Sequence, residues 1–208
     1  MAERLTRADL LSGGRRTGAA LLLAAGGLGA FAAAAGATPP DDALGALPAG
    51  DLAYVRLLVA WELLAIDFYT HALGSRHLDR ESADVMRLAL ANEQAHYSYL
   101  AGVMAGSGLL AATAADIDFS YPGGAFFTAR SVTRLALTLE RLALGAYLGA
   151  GGNVATPALA QALSQIAANE AQHLSVISLR GRAAAFQDAF PATMTMADSS
   201  NALDTYTA

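Results

Sequence analysis

The stretch ANEQAH, residues 91–96, returns with two letters exchanged as ANEAQH, residues 168–173. Each copy holds a Glu and a His at positions i and i+3, Glu93 with His96 and Glu170 with His173. On a helix that spacing puts both side chains on one face. The chain has only 4 histidines, so two in matched contexts are not scattered surface composition.

Working outward, the repeat extends to whole helical hairpins. VRLLVAWELLAIDFY (55–69) aligns with TRLALTLERLALGAY (133–147), matching Arg56 to Arg134, Glu62 to Glu140 and Tyr69 to Tyr147. ALANEQAHYS (89–98) aligns with IAANEAQHLS (166–175). A duplication of this kind predicts two similar supersecondary units related by a pseudo-twofold axis.

Helical periodicity carries the rest of the architecture. The first helix runs from about residue 51, with Asp51 as its N-cap, to about 73, and stops at GSRH (74–77). The second runs from about 78 to 105, the third from about 130 to 150, and the fourth from Pro157, a favoured first-turn residue, to about Phe186. GSGLLAATAADIDFSYPGGAFFT (106–128) is too long for a tight turn and makes a crossover. Two hairpins joined by one long connection predict an all-α, ferritin-like four-helix bundle over residues 51–186. The polar tail, residues 187–208, is expected to lie along the surface or to fray.

Composition agrees with this class and narrows function. Leu and Ala dominate, 54% of residues are hydrophobic, and the length suits one domain with a sizeable core. The net charge is −5 and the 13 basic residues are all Arg, with no basic patch interleaved with aromatics, so nucleic acid is not an expected partner. The absence of Cys removes disulfides, thiolate catalysis and Cys-rich metal sites. LGAGGN (148–153) lacks a following Lys and is not a phosphate loop.

Residues 1–37 resemble a twin-arginine signal peptide. The paired Arg15 and Arg16 precede an Ala/Gly/Leu run, and Ala35-Gly36-Ala37 makes a small-residue cleavage site ending at Ala37. The run from Thr17 to Ala35 approaches spanning length, so the alternative is a retained anchor; its Ala and Gly content favours removal. The expectation is export by the twin-arginine machinery to the periplasm, cell envelope or exterior, with membrane contact only through this segment. Residues 38–50 read as a linker.

Distance from the turns sets the height of each glutamate in the bundle. With the first turn centred near residue 77 and the second near Ala155, Glu62 is level with Glu93 to about 1.5 Å of helix rise, and Glu140 is level with Glu170. Their neighbours, LLVAWELLAI and LALTLERLAL, are apolar. Buried carboxylates without partners are very costly, so four of them at one level require cations, and two divalent ions supply the charge.

Glu62, Glu93-x-x-His96, Glu140 and Glu170-x-x-His173 together resemble the ligand set of the ferritin-like di-iron and di-manganese carboxylate proteins. With its leader, the chain looks most like the exported ferritin-like group that includes desiccation-associated proteins. That resemblance implies two Fe or two Mn ions, with Glu93 and Glu170 bridging or chelating, Glu62 and Glu140 terminal, and each His on one ion. Tyr69 and Tyr147 lie two turns beyond Glu62 and Glu140, where each phenol either bonds a carboxylate of the opposite hairpin or is a core aromatic.

The implied chemistry is redox: a ferroxidase, peroxidase or catalase type of oxidoreductase acting on Fe(II), dioxygen or peroxide, protecting the envelope against oxidative stress. The alternative is a metal-stabilised structural or desiccation-protective bundle without turnover. A homo-oligomer is compatible with either. His71 and His77 are expected to be helix-terminal or solvated, Asp67 to point away from the site, and Trp61, Phe119, Tyr121, Phe126 and Phe127 to pack.

Overall fold

The structure is a computed structural model that describes residues 44–185 and 188–207. The leader with Arg15, Arg16 and Ala37, and residues 38–43 of the linker, lie outside the described residues. Five helices follow in order: α1 (Ala49–Gly74), α2 (Arg80–Gly106), α3 (Ala129–Gly151), α4 (Pro157–Arg180) and α5 (Met196–Asp204). No strand occurs among the described residues, and the one bridge is an antiparallel pairing of Phe119 with Thr207. Nor is any helix among them long and apolar enough to cross a membrane.

The four long helices form the ferritin-like bundle. α1 packs on α2 and α3 on α4 as hairpins, and the hairpins meet with α1 beside α3 and α2 beside α4. The core is Leu, Val, Ala and aromatic side chains, with Trp61, Phe68, Tyr69 and Tyr147 among the largest buried groups. Local signals start the helices. Asp79 caps α2 by accepting from Ser82 N–H at 2.7 Å, and Thr128 with Ser131 makes a capping box at α3. Arg180, at the end of α4, reaches Asp79 and Glu81 at the start of α2 and ties the two hairpins together.

Two helix boundaries and the tail differ from the sequence reading. α1 begins at Ala49 rather than at Asp51, and Asp51 is not its N-cap. The Asp51 carboxylate instead accepts from the backbone N–H groups of Ala155 and Thr156, at 2.8 and 2.9 Å, in the turn between α3 and α4. Burial would push this carboxyl up, but the hydrogen bonds from Thr156 and Ala155 outweigh it and hold it below the ordinary value. It satisfies the exposed donors of the other hairpin, a partner that no local pattern shows.

α4 ends at Arg180, six residues before the expected Phe186. Ala183 N–H bonds Ser178 C=O and Arg182 N–H bonds Leu179 C=O, the paired bonds that close a helix around a left-handed residue. Arg182 takes that conformation at φ 58°, although Gly181 beside it is the residue that propensity would have chosen.

Of the two expectations for the tail, it lies along the bundle and does not fray, and it winds into α5. Thr195 caps α5 by accepting from Asp198 N–H, and Leu203 and Tyr206 are buried. Ser199 accepts from the Trp61 indole N–H at 2.8 Å, and Ser120 N–H donates to Tyr206 C=O at 2.7 Å, so the tail is bonded to both α1 and the crossover. The segment before α5 enters a groove on α3, where Met194 N–H bonds Gly145 C=O at 2.9 Å. A Cβ on Gly149 would sit 1.9 Å from Met194 O, and one on Gly145 would sit 2.9 Å from Met194 Cγ.

The groove makes a signed prediction. On a free helix Gly149→Ala would add up to about 1 kcal/mol of stability. Here we expect it to cost about 1–3 kcal/mol, the usual range for overpacking, with a shift of Trp61 fluorescence as Ser199 withdraws. A variant that melts higher than wild type with unchanged emission would show that the tail is not docked as described.

The crossover is held by its aromatics. Tyr121 donates to Asp67 Oδ2 at 2.7 Å, and Tyr121 and Phe126 pack on Phe68 at ring distances of 6.2 and 5.8 Å. Phe119 is also packed against the core. Phe127, expected to pack, is 76% exposed, because it precedes the capping box of α3 and faces out.

Candidate metal centre

All four long helices contribute at mid-length. Glu62 comes from α1, Glu93 and His96 from α2, Glu140 from α3, and Glu170 and His173 from α4. The four glutamates are between 1% and 3% exposed. They form two overlapping groups, Glu62, Glu93, His96 and Glu170 in one and Glu93, Glu140, Glu170 and His173 in the other, each with its candidate ligand atoms within 4.8 Å of one another.

The distances repeat across the pseudo-twofold axis. His96 Nδ1 lies 3.1 Å from Glu93 Oε2, 3.2 Å from Glu170 Oε1 and 3.6 Å from Glu62 Oε2. His173 Nδ1 lies 3.0 Å from Glu93 Oε1, 3.5 Å from Glu140 Oε2 and 3.6 Å from Glu170 Oε2. Glu93 and Glu170 therefore each turn one oxygen toward one histidine and the other oxygen toward the second. Glu62 and Glu140 each serve one side.

The outer oxygens of the terminal pair are already engaged. Tyr69 donates to Glu140 Oε1 and Tyr147 to Glu62 Oε1, each phenol crossing from one hairpin to the other. Burial first, and then the neighbouring carboxylates, push both phenols well above their ordinary value, so they remain donors. Each bond fixes the carboxylate rotation and leaves the second oxygen aimed inward.

Those inward atoms lack hydrogen-bond partners. Glu62 Oε2, Glu93 Oε1, Glu140 Oε2, Glu170 Oε1 and His173 Nδ1 are buried without a hydrogen bond among the described residues. Several lie close to one another, but not in a geometry that lets an N–H point along an oxygen lone pair. Convergent buried acceptors that do not bond each other are costly unless a cation sits among them. The donor set, carboxylate oxygen with imidazole nitrogen, suits Fe(II) and Mn(II).

Without cations the cluster balances its own charge with protons. Burial pushes Glu62 well above the ordinary carboxylate range, and Glu93 beside it adds to the effect. Burial likewise raises Glu140 to about 8. For Glu93 and Glu170 burial is outweighed by the two imidazoles, and both are held low. Burial would lower the histidines, but the surrounding carboxylates win, raising His96 to about 12 and His173 well above its ordinary value.

Other singled-out residues fall outside the cluster. His71 is exposed, with Nδ1 3.0 Å from Asp67 C=O, and His77 is exposed in the turn. Asp67 faces Tyr121 and His71. Trp61 is buried and also lines a small apolar cavity with Phe68, Tyr69 and Ala143 that reaches Glu140 and Glu170.

One contact at the site does not follow from the repeat. Asn92 reaches from α2 to α4, where its amide nitrogen lies 2.9 Å from His173 Nε2. The signal was in view, since Asn precedes Glu in both copies of the ANE motif, but an amide beside two charged ligands reads as surface until the helices are packed.

Comparison with curated proteins returns no match. Residues 50–180, more than half of the chain, match the family described as a ferritin-like domain, and the match spans all four long helices and all six converging residues. The chain belongs to the ferritin-like domain family.

Proposed function

We propose that the protein is a dimetal carboxylate oxidoreductase, holding two Fe or two Mn ions and acting on Fe(II), dioxygen or peroxide. The observation that carries this is the set of orphaned inward-facing atoms, four carboxylate oxygens and one imidazole nitrogen, at the meeting point of four helices. In this reading Glu93 and Glu170, common to both groups, would be shared by the two ions, and Glu62 with His96 and Glu140 with His173 would each help to hold one of them.

Bound in this way, the ions would supply two-electron redox chemistry toward a small oxidant. The chain's own groups do the rest. Tyr69 and Tyr147 hold the terminal carboxylates in rotation, and the apolar walls exclude bulk water. The apolar cavity beside Glu140 and Glu170 favours a small substrate over a large organic one. Export by the twin-arginine route, proposed from Arg15, Arg16 and Ala37, would let the metal be loaded before the folded chain crosses the membrane and would place the activity in the envelope or outside it.

The test is turnover by metal-loaded protein. Anaerobic Fe(II)- or Mn(II)-loaded chain, mixed with dioxygen or peroxide, is expected to consume oxidant, and Glu93→Gln is expected to consume none while remaining folded. Wild type that holds two ions yet oxidises no Fe(II) and consumes no peroxide would leave a metal-stabilised structural bundle as the better reading.

A further inference from the structure

The two halves of the centre share a duplicated sequence but not the same support. His173 Nε2 faces the Asn92 side chain at 2.9 Å. The duplicate of Asn92 is Asn169, and neither its side chain nor His96 Nε2 makes a hydrogen bond among the described residues. His173 has an 8% exposed side chain, whereas that of His96 is 12% exposed, the highest of the six.

For an imidazole to offer its Nδ1 lone pair to a cation, its proton must reside on Nε2, and Nε2–H then needs an acceptor. A half-turn of the Asn92 amide about Cβ–Cγ exchanges Nδ2 for Oδ1 at the same place. The carbonyl then accepts from Nε2–H, which fixes both the tautomer and the ring plane.

We propose that Asn92 is the positioning residue of His173 and makes the two metal positions unequal: the Glu140–His173 position is pre-organised, and the Glu62–His96 position, whose ring lacks such a support, is the looser one. This rests on the dimetal reading above. Unequal supports give stepwise loading, the His173 side first, with the His96 side as the one that exchanges.

Co(II) titration of the full chain, followed by competition with a chelator, tests the inequality without using activity. Wild type is expected to take up two Co(II) in two steps. Asn92→Ala should weaken the tighter step by about 10–100-fold, the range for loss of a histidine's outer partner, and leave the other step unchanged. Asn169→Ala should change neither step. Asn92→Asp, which can only accept, should keep wild-type affinity, and an amide that acted through its N–H would fail there.

A second readout separates positioning from packing. In Zn(II)-loaded protein, nitrogen-15 spectra should show the His173 ring as the single Nε2–H tautomer, with its proton protected from exchange in wild type and Asn92→Asp and exposed in Asn92→Ala. Asn92→Ala with both steps at wild-type affinity, or Asn92→Asp as weak as Asn92→Ala, overturns the proposal while leaving the dimetal centre standing. A wild-type chain that takes up no Co(II) overturns both.

Discussion

Glu93→Gln is expected to abolish binding of both ions, whereas Glu62→Gln removes one. The asymmetry follows from the oxygens. Glu93 turns Oε2 toward His96 and Oε1 toward His173, so a neutral amide there strips a ligand and a charge from both positions. Glu62 approaches His96 alone, and its other oxygen is taken by Tyr147. Loss of a direct ligand should exceed the about 100-fold that marks the upper end for an outer partner. Elemental analysis after gel filtration would read about two ions per chain in wild type, none in Glu93→Gln and about one in Glu62→Gln. Melting of the metal-free variants checks that each still folds. Two ions retained by Glu93→Gln would end the bridging assignment.

The second large effect is proton release. In the metal-free cluster the raised values of His96, His173, Glu62 and Glu140 favour proton binding, whereas those of Glu93 and Glu170 are lowered, so that bound protons offset the buried carboxylate charge. Two divalent ions must displace those protons, about four in all, because every ligand atom has to be bare. Below pH about 8, where Glu140 still holds its proton, the overall constant for two ions should rise by about four powers of ten per pH unit. Acid expels the metal. Calorimetry in two buffers of different ionisation enthalpy would count the protons, and a count near zero would mean that the cluster is not proton-balanced.

The same shifts fix how the metal-free fold responds to pH. Glu62, Glu140, His96 and His173 have raised folded values, so the stability they contribute is full below their unfolded values and is lost as pH rises through the folded ones. Glu93 and Glu170 have lowered values, and their contribution is lost as pH falls below the ordinary carboxylate range. Metal-free protein should therefore melt highest in mild acid. Loaded protein should keep its stability to higher pH, because cations have replaced the protons that alkali removes.

Much of this was legible in the sequence because helices convert spacing into direction. Glu93 and His96 three residues apart share a face, and counting from the turns levels Glu62 with Glu93 and Glu140 with Glu170. Those are local rules, and they sufficed for the bundle and for the six residues that converge. The end of α4 was not legible, since Arg182 rather than a glycine takes the left-handed position and propensity points the other way. Asp51 misled for a related reason: a carboxylate near a helix start suggests a cap for its own helix, but the nearer unsatisfied donors belong to the other hairpin.

What the sequence by itself determined is thus the architecture, the duplication and the height and face of every candidate ligand, all set by periodicity along single helices. Tertiary structure alone decided which oxygen of each carboxylate faces which histidine, that Asn92 supports His173 while Asn169 leaves His96 unsupported, and that a polar tail becomes α5. Each of these depends on groups brought together across helices. The α3 groove at Gly145 and Gly149 exists only once α3 is wound and packed, and only then does the tail have a surface to bind.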